Sequence, residues 1–183
     1  MPYQLRKTVV LVGMMGAGKT AVGTALARRL GVTFRDSDHA LEVAANRTIA
    51  EIFTTYGEPF FRAKETQVIE RLLQAEAGIL STGGGAFLSA SNRALISRNG
   101  VSVWLNADVK LLWSRVRQKD TRPLLRSADP FATLQQIFTD RVPLYSQADL
   151  TVEAQPRYSI EDMVDQVIAV LLGRPDVLGE VKP

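Results

Sequence analysis

The sequence predicts a doubly wound α/β fold, a five-stranded and mostly parallel sheet flanked by helices. Three observations carry that prediction. Short apolar, β-branched runs alternate with longer segments whose apolar residues recur at helical spacing. The first of those runs passes directly into a glycine-rich loop and then into a helix. At 183 residues and 46% hydrophobic content, the chain has the length for one domain built in three layers.

The first strand is read at Val9-Val10-Leu11-Val12. Gly13-Met14-Met15-Gly16-Ala17-Gly18-Lys19-Thr20 follows and fits the phosphate-binding pattern G-x-x-x-x-G-K-[ST] without a mismatch. The glycines let successive backbone N–H groups turn inward around phosphate oxygens, and the helix starting near Lys19 adds its positive end. Lys19 is placed to reach the β- and γ-phosphates and the Thr20 hydroxyl to meet Mg²⁺. A bare glycine turn is the bland alternative, and the complete strand–loop–helix context argues against it. The helix from Ala21 to Leu30 buries Val22, Ala25, Leu26 and Leu30, and Gly31 ends it.

A second strand, Val32-Thr33-Phe34, runs into Arg35-Asp36-Ser37-Asp38. Helical spacing then covers Ala40 to Tyr56, with a break near Asn46-Arg47 that leaves one helix or two. Gly57-Glu58-Pro59 turns the chain into a long helix from about Phe60 to Glu76. The third strand, Ile79 to Thr82, ends in Gly83-Gly84-Gly85, and a short helix, Asn92 to Arg98, leads to a fourth strand, Val101 to Leu105. Asp108 caps the next helix, whose face is Val109, Leu112, Trp113 and Val116. Residues 117–129 are polar and show no helical stripe, which reads as a mobile loop. Pro130 opens a helix to about Ser146. The fifth strand is Leu150-Thr151-Val152. Ser159 to Asp162 then resembles a capping box before the last helix, which Gly173 ends. Residues 1–173 thus form one domain, and 174–183 read as a frayed tail.

In such sheets ligands bind beyond the carboxyl ends of the strands. Asp36 and Asp38 lie there, and in an extended segment residues two apart point the same way. One could hold Mg²⁺ through water while the other accepts a proton from a substrate hydroxyl. Asp-Ser-Asp alone suits an exposed turn; its place beside the phosphate-loop strand favours the functional reading. Arg62 and Glu65 are three apart on a helix and can pair, although in isolation a surface ion pair is the better explanation. The triple glycine is either a flexible turn or a place where a small substrate approaches backbone N–H groups. His39, the sole histidine, has no evident partner, and Trp104 and Trp113 lie on apolar faces as core residues do.

Composition narrows the classes further. A net charge of +3 is too mild to argue for nucleic acid but suits a site for anions. The absence of cysteine removes disulfides and thiolate metal ligands. Arg6-Lys7 with the following apolar run imitates a secretory signal, but Lys19, Arg28 and Arg29 spoil that pattern. No stretch approaches the ~20 apolar residues of a membrane span. The expectation is a soluble cytoplasmic protein with no nucleic-acid or membrane partner.

GMMGAGKT, Asp36-x-Asp38, GEPFFRAKE from Gly57 to Glu65, STGGGA from Ser81 to Ala86, RPLL from Arg122 to Leu125 and R-x-P-L-Y from Arg141 to Tyr145 occur in this order. Over about residues 5 to 173 the chain resembles the shikimate kinase family. The phosphate loop alone is shared with many nucleoside triphosphatases; the remaining motifs together are specific. The resemblance implies a P-loop fold of the nucleoside-monophosphate-kinase type and ATP-dependent phosphorylation of the 3-hydroxyl of shikimate, with Mg²⁺ as cofactor. It implies that residues 13 to 20 bind ATP, and that Thr20 and Asp36 belong to the Mg²⁺ shell. Asp38 would bind the substrate hydroxyls and assist proton removal. Arg62, Arg141 and the Gly84 and Gly85 backbone would hold shikimate, with Glu65 orienting Arg62. Arg122 would belong to a lid at about 117–129 that closes over ATP, and Pro156 would lie beside the base. The substrate region would span about 36–65. Arg115 and Arg117 both remain open as the arginine at the adenine, and the resemblance implies a monomer.

Three other readings compete. Another small kinase, acting on gluconate or a nucleoside monophosphate, is opposed by the triple glycine and two arginines, which suit a carboxylate. A regulatory GTPase is opposed by the absence of an N-K-x-D motif and of a D-x-x-G switch soon after the phosphate loop. A module without catalysis is opposed by the intact Lys19, Thr20, Asp36 and Asp38.

Overall fold

A computed structural model describes residues 2–118 and 127–182. The five expected strands form one wholly parallel sheet: β2 (Thr8–Val12), β3 (Phe34–Asp36), β4 (Ile79–Ser81), β5 (Gly100–Asn106) and β6 (Leu150–Glu153), in the order β3-β4-β2-β5-β6. Helices cover the sheet, so the central strand β2 is buried along its whole length. That burial is why its sequence is a continuous apolar run and not an alternating one. Both neighbours of β2 are fixed in register, Leu11 opposite Ser81 on one side and opposite Val103 on the other.

The chain leaves β2 towards one edge and leaves β4 towards the other. β2 and β4 are adjacent, so the crevice of a topological switch opens between the loops that follow them. α1 (Lys19–Leu30) packs against α8 (Ile160–Leu172), whose N-terminus carries the full capping box of Ser159 and Asp162. The main core joins β2, β4 and β5 to α1, α8 and the inner faces of α6 (Val109–Val116) and α7 (Pro130–Tyr145).

Three helices stand apart from that core. α2 (Ser37–Ala45), α3 (Ile49–Tyr56) and α4 (Glu58–Leu73) share a small cluster of their own, Leu41, Ile52, Phe61 and Val68. The choice between one helix and two resolves as two. Asn46 takes a left-handed conformation (φ 51°), which Asn tolerates better than most residues, and Thr48 caps α3 by accepting from Glu51 N. α5 (Ala90–Asn99) precedes β5, and a single 3₁₀ turn, Ala86–Leu88, follows the triple glycine. The loop expected at 117–129 as a lid falls largely outside the described residues, and Arg122 with it.

The expectation of a frayed tail is wrong. Leu178–Glu180 forms β7 and pairs antiparallel with β1 (Tyr3–Leu5) in a two-stranded ribbon. Arg6 N donates to Val177 O at 2.7 Å and Val181 N to Pro2 O at 2.8 Å. Val177 and Leu178 are buried in the main core. Two apolar residues between charged neighbours give no periodicity to read, which is why the sequence suggested disorder. Among the described residues, no helix is long and apolar enough to cross a membrane. Leu178→Ala is expected to cost about 2–4 kcal/mol in urea unfolding; a change within 0.5 kcal/mol would mean that the tail is not part of the fold.

Candidate active site

The loop after β2 has the geometry its glycines require. Gly16 and Gly18 have φ of 84° and 93°, values that side-chain-bearing residues rarely adopt. Gly18 is the N-cap of α1 and supplies no side-chain bond, and no acidic residue occupies the first turn. The N–H groups of that turn, with the positive end of the helix, are therefore available to an anion. Lys19 lies over the loop and donates from Nζ to Gly13 O at 2.6 Å and Met14 O at 3.2 Å. Residues 14 to 20 line a cavity of about 1270 Å³, which also reaches Asp36, Asp38, Gly83 and Gly84.

Asp36 and Asp38 both line this cavity, but not for the reason read from the sequence. The segment is not extended through Asp38: α2 begins at Ser37. Asp36 ends β3 and caps α2, its Oδ1 accepting from Asp38 N at 2.9 Å and His39 N at 3.2 Å. Asp38 thus stands in the first helical turn. Burial pushes its carboxyl up to about 6, and the negative charges of Asp36 and Glu65 add to the rise while Lys19 opposes it.

The three glycines after β4 are where the remaining candidates meet. A Cβ on Gly83 would stand 2.6 Å from Asp38 Oδ1, one on Gly84 3.0 Å from Arg141 Nη1, and one on Gly85 2.6 Å from Arg62 Nη1. Each glycine thus lies close against the end of a charged side chain, which would have to shift if the glycine carried a side chain. Arg62 rises from α4 and donates to Glu65 Oε1 at 2.9 Å, with Glu58 3.6 Å from its Nε. Glu65 is buried, which raises its pKa against the lowering effect of Arg62. This pair is therefore not the exposed ion pair that was the bland alternative.

Several residues in this assembly had no role in the sequence reading. Tyr145 is buried, stacks on Trp104, and donates from its hydroxyl to Gly84 O at 2.5 Å. Burial raises its pKa, with the adjacent Arg141 guanidinium opposing. Its place in R-x-P-L-Y, one helical turn after Arg141, was the available signal. Asn92 is buried and bridges the turn to α4, donating to Ala86 O at 2.9 Å and accepting from Thr66 Oγ1 at 2.7 Å. Arg115 donates to Gly16 O at 2.9 Å and lines the cavity, so of the two candidate arginines it is the one at the phosphate loop. Pro156 lies in the Gln155–Tyr158 turn, outside the described cavity wall, which on that side runs from Tyr158 to Glu161.

A family profile described as shikimate kinase matches residues 15–172. The chain belongs to the shikimate kinase family. It is 64% identical over 174 residues to the shikimate kinase of Ruegeria pomeroyi, covering 95% of this chain and 89% of that one. Identity to the Cereibacter sphaeroides shikimate kinase is 59% over 175 residues, 96% and 87% of the two chains. Among solved structures, shikimate kinase from Acinetobacter baumannii in complex with shikimate superposes with a TM-score of 0.84 at 38% identity, covering 91% of this chain and 93% of that one. The parallel sheet flanked by helices is that of the family, and membership makes this chain an ATP-using kinase.

The raised Asp38 carboxyl has a consequence for stability. Its folded pKa of about 6 exceeds the ordinary 3.8. Its contribution is therefore fully present below about pH 4 and is lost as pH rises through 6. Asp38→Asn is expected to stabilise the fold by about 1–2 kcal/mol at pH 8. That gain should shrink towards zero as the pH is lowered to about 4, as measured by urea unfolding at each pH. A gain that does not vary with pH would contradict the burial of this charge.

Proposed function

We propose that this chain transfers the γ-phosphoryl group of ATP to the 3-hydroxyl of shikimate. The observation that carries the proposal is the convergence of Asp38, Arg141 and Arg62 on Gly83, Gly84 and Gly85, across one cavity from the phosphate loop. Shikimate is a small ring with a carboxylate and several hydroxyls. A planar guanidinium can grip a carboxylate through two parallel hydrogen bonds, and a nearby carboxylate can accept from hydroxyls.

In this reading the phosphate loop and Lys19 hold the β- and γ-phosphates. Arg62 and Arg141 fix the substrate carboxylate against the glycine turn, and Glu65 holds Arg62 in position. Asp38 accepts a hydrogen bond from the 3-hydroxyl and takes its proton as the oxygen attacks phosphorus. Phosphoryl transfer needs alignment and positive charge far more than covalent help. Arg122, outside the described residues, belongs in this proposal to the lid that excludes water. Pro156 is retained as a neighbour of the base in the ATP-bound chain.

The residues present also fit Mg²⁺. It favours hard oxygen ligands, keeps several waters and takes few ligands from the protein. The Thr20 hydroxyl and Asp36, one of whose oxygens is used in capping α2, are such donors on the wall of the cavity. When bound, the ion neutralises charge on the β- and γ-phosphate oxygens. We read the chain as a cytoplasmic monomer whose partners are ATP, ADP and shikimate.

The direct test is coupled ADP release with shikimate, quinate and gluconate offered side by side. Activity with gluconate in preference to shikimate would overturn the proposal. With shikimate, kcat/KM should rise with pH through an apparent pKa near 6, set by Asp38. In Asp38→Asn that bend should vanish, with turnover down by about 10²–10⁴-fold. An unchanged bend in the variant would assign the titration to another group.

Lysine at either arginine position keeps the charge and loses the fork. Arg62→Lys and Arg141→Lys are each expected to raise the KM for shikimate roughly tenfold or more, with little change in the KM for ATP. Equal effects on the two substrates would remove both residues from the acceptor site.

A further inference from the structure

A second cavity lies on the outer side of the three-helix unit, away from the phosphate loop. It measures about 440 Å³ and opens between α2, α3 and α4, a volume in the range of small-molecule sites. Its inner wall is the buried edge of the small cluster, Leu41, Ile52 and Val68. Its rim carries the rings of Tyr56 and Phe60, which stack at 4.5 Å between centroids and are 48% and 38% exposed.

Three cations line the same cavity. Arg47 stands 5.6 Å from the Tyr56 ring centroid and Lys64 5.5 Å from that of Phe60; Arg71 is the third. Among the described residues no carboxylate lines this cavity, and none of the three cations is within ion-pair distance of one. The basic residues on the active-site side of α4 are used differently, since Arg62 is paired with Glu65 and Glu58. An apolar floor, flat aromatic rims and uncompensated positive charge together define the complement of a planar, apolar, negatively charged molecule.

We infer that this cavity is a second ligand site, for a small aromatic carboxylate, and that its occupancy changes the grip of the acceptor site. The coupling follows from what the two helices carry. α2 presents Asp38 in its first turn and Leu41, Ala44 and Ala45 to the cavity. α4 presents Arg62 and Glu65 to the glycine turn, and Lys64, Gln67, Val68 and Arg71 to the cavity. A ligand that sets the spacing of α2 and α4 therefore sets the spacing of Asp38 and Arg62. The role inferred for the cavity is binding. The coupling half of this inference rests on the proposed acceptor site, whereas the binding half does not.

The test uses salicylate as the aromatic carboxylate and its neutral amide, salicylamide, as the uncharged control. Saturable salicylate binding, followed by backbone amide shifts in ¹⁵N spectra of the full chain, is expected to move Ala44, Arg47, Lys64 and Arg71. Salicylamide should bind at least tenfold more weakly. Lys64→Glu and Arg71→Glu should each weaken salicylate about tenfold or more, and Arg71→Glu should leave turnover without salicylate unchanged. Arg141→Lys should leave salicylate affinity in this cavity intact, which separates it from binding at the acceptor site. By linkage, saturating shikimate should shift the salicylate affinity by the same factor as salicylate shifts that of shikimate.

Salicylate and salicylamide binding alike, or salicylate binding unaffected by either charge reversal, overturns the inference. So does the absence of saturable binding, whether the exposed rings prove instead to contact anionic phospholipid vesicles or a second copy of the chain. Binding that is charge-dependent but leaves the shikimate KM unmoved overturns the coupling. Failure of the catalytic reading would appear separately, as no shikimate-dependent ADP release in the absence of salicylate.

Discussion

The parallel pairing of β2 with β4 is the constraint on which the site depends. It aligns Leu11 with Ser81, and the bond continues past the strand end, where Thr82 donates to Leu11 O from both its backbone N and its hydroxyl. Two loops that are separated in the chain by the four helices α1 to α4 are thereby started from the same level of the sheet. One is the phosphate loop and the other the triple glycine. A slip of one residue in this pairing would turn the side chains of β4 to the opposite faces and carry Gly83 away from Asp38. The helices bring their charged residues to that pair of loops; they do not define the place.

The glycine turn works by leaving space. Three charged side chains from α2, α4 and α7 crowd against Gly83, Gly84 and Gly85 closely enough that a methyl group at any of them would force a displacement. Behind the turn, Tyr145 holds the Gly84 carbonyl and Asn92 holds that of Ala86. A glycine triplet is intrinsically loose, and these two buried side chains replace the rigidity that its composition gives up. The positions of Arg62 and Arg141 are consequently tied to one short segment of backbone.

Much of the fold was legible because its elements are punctuated. Gly31 ends α1, Asp108 and Ser159 cap α6 and α8, and Pro130 opens α7, each where the sequence places it. β2, β4 and β5 were read because buried parallel strands are runs of apolar residues, whereas the half-buried edge strand β3 lies two residues beyond the expected Val32–Phe34. What escaped was short or tertiary. β1 and β7 have three residues each, too few for a period. The start of α2 at Ser37 was hidden because Asp36 reads equally well as a strand end and as a helix cap, and it is both. The phosphate loop declared itself by spacing, but the meeting of residues 38, 62 and 141 is a property of the folded chain. Tyr145 and Asn92 are polar residues at core positions, and periodicity counts such residues as interruptions.

The ribbon of β1 and β7 joins residues 3–5 to residues 178–180, closing a loop around nearly the whole chain. In a chain made from its N-terminus, such a contact must wait until residues 178–180 have been made. Until residue 180 has left the ribosome, β1 has no partner strand and the place taken by Val177 and Leu178 stays open. The strands of the five-stranded sheet, its phosphate loop and its glycine turn all precede the end of α8 in the chain. The nascent protein can therefore begin to assemble its interior before residues 178–180 emerge, and add the ribbon afterwards.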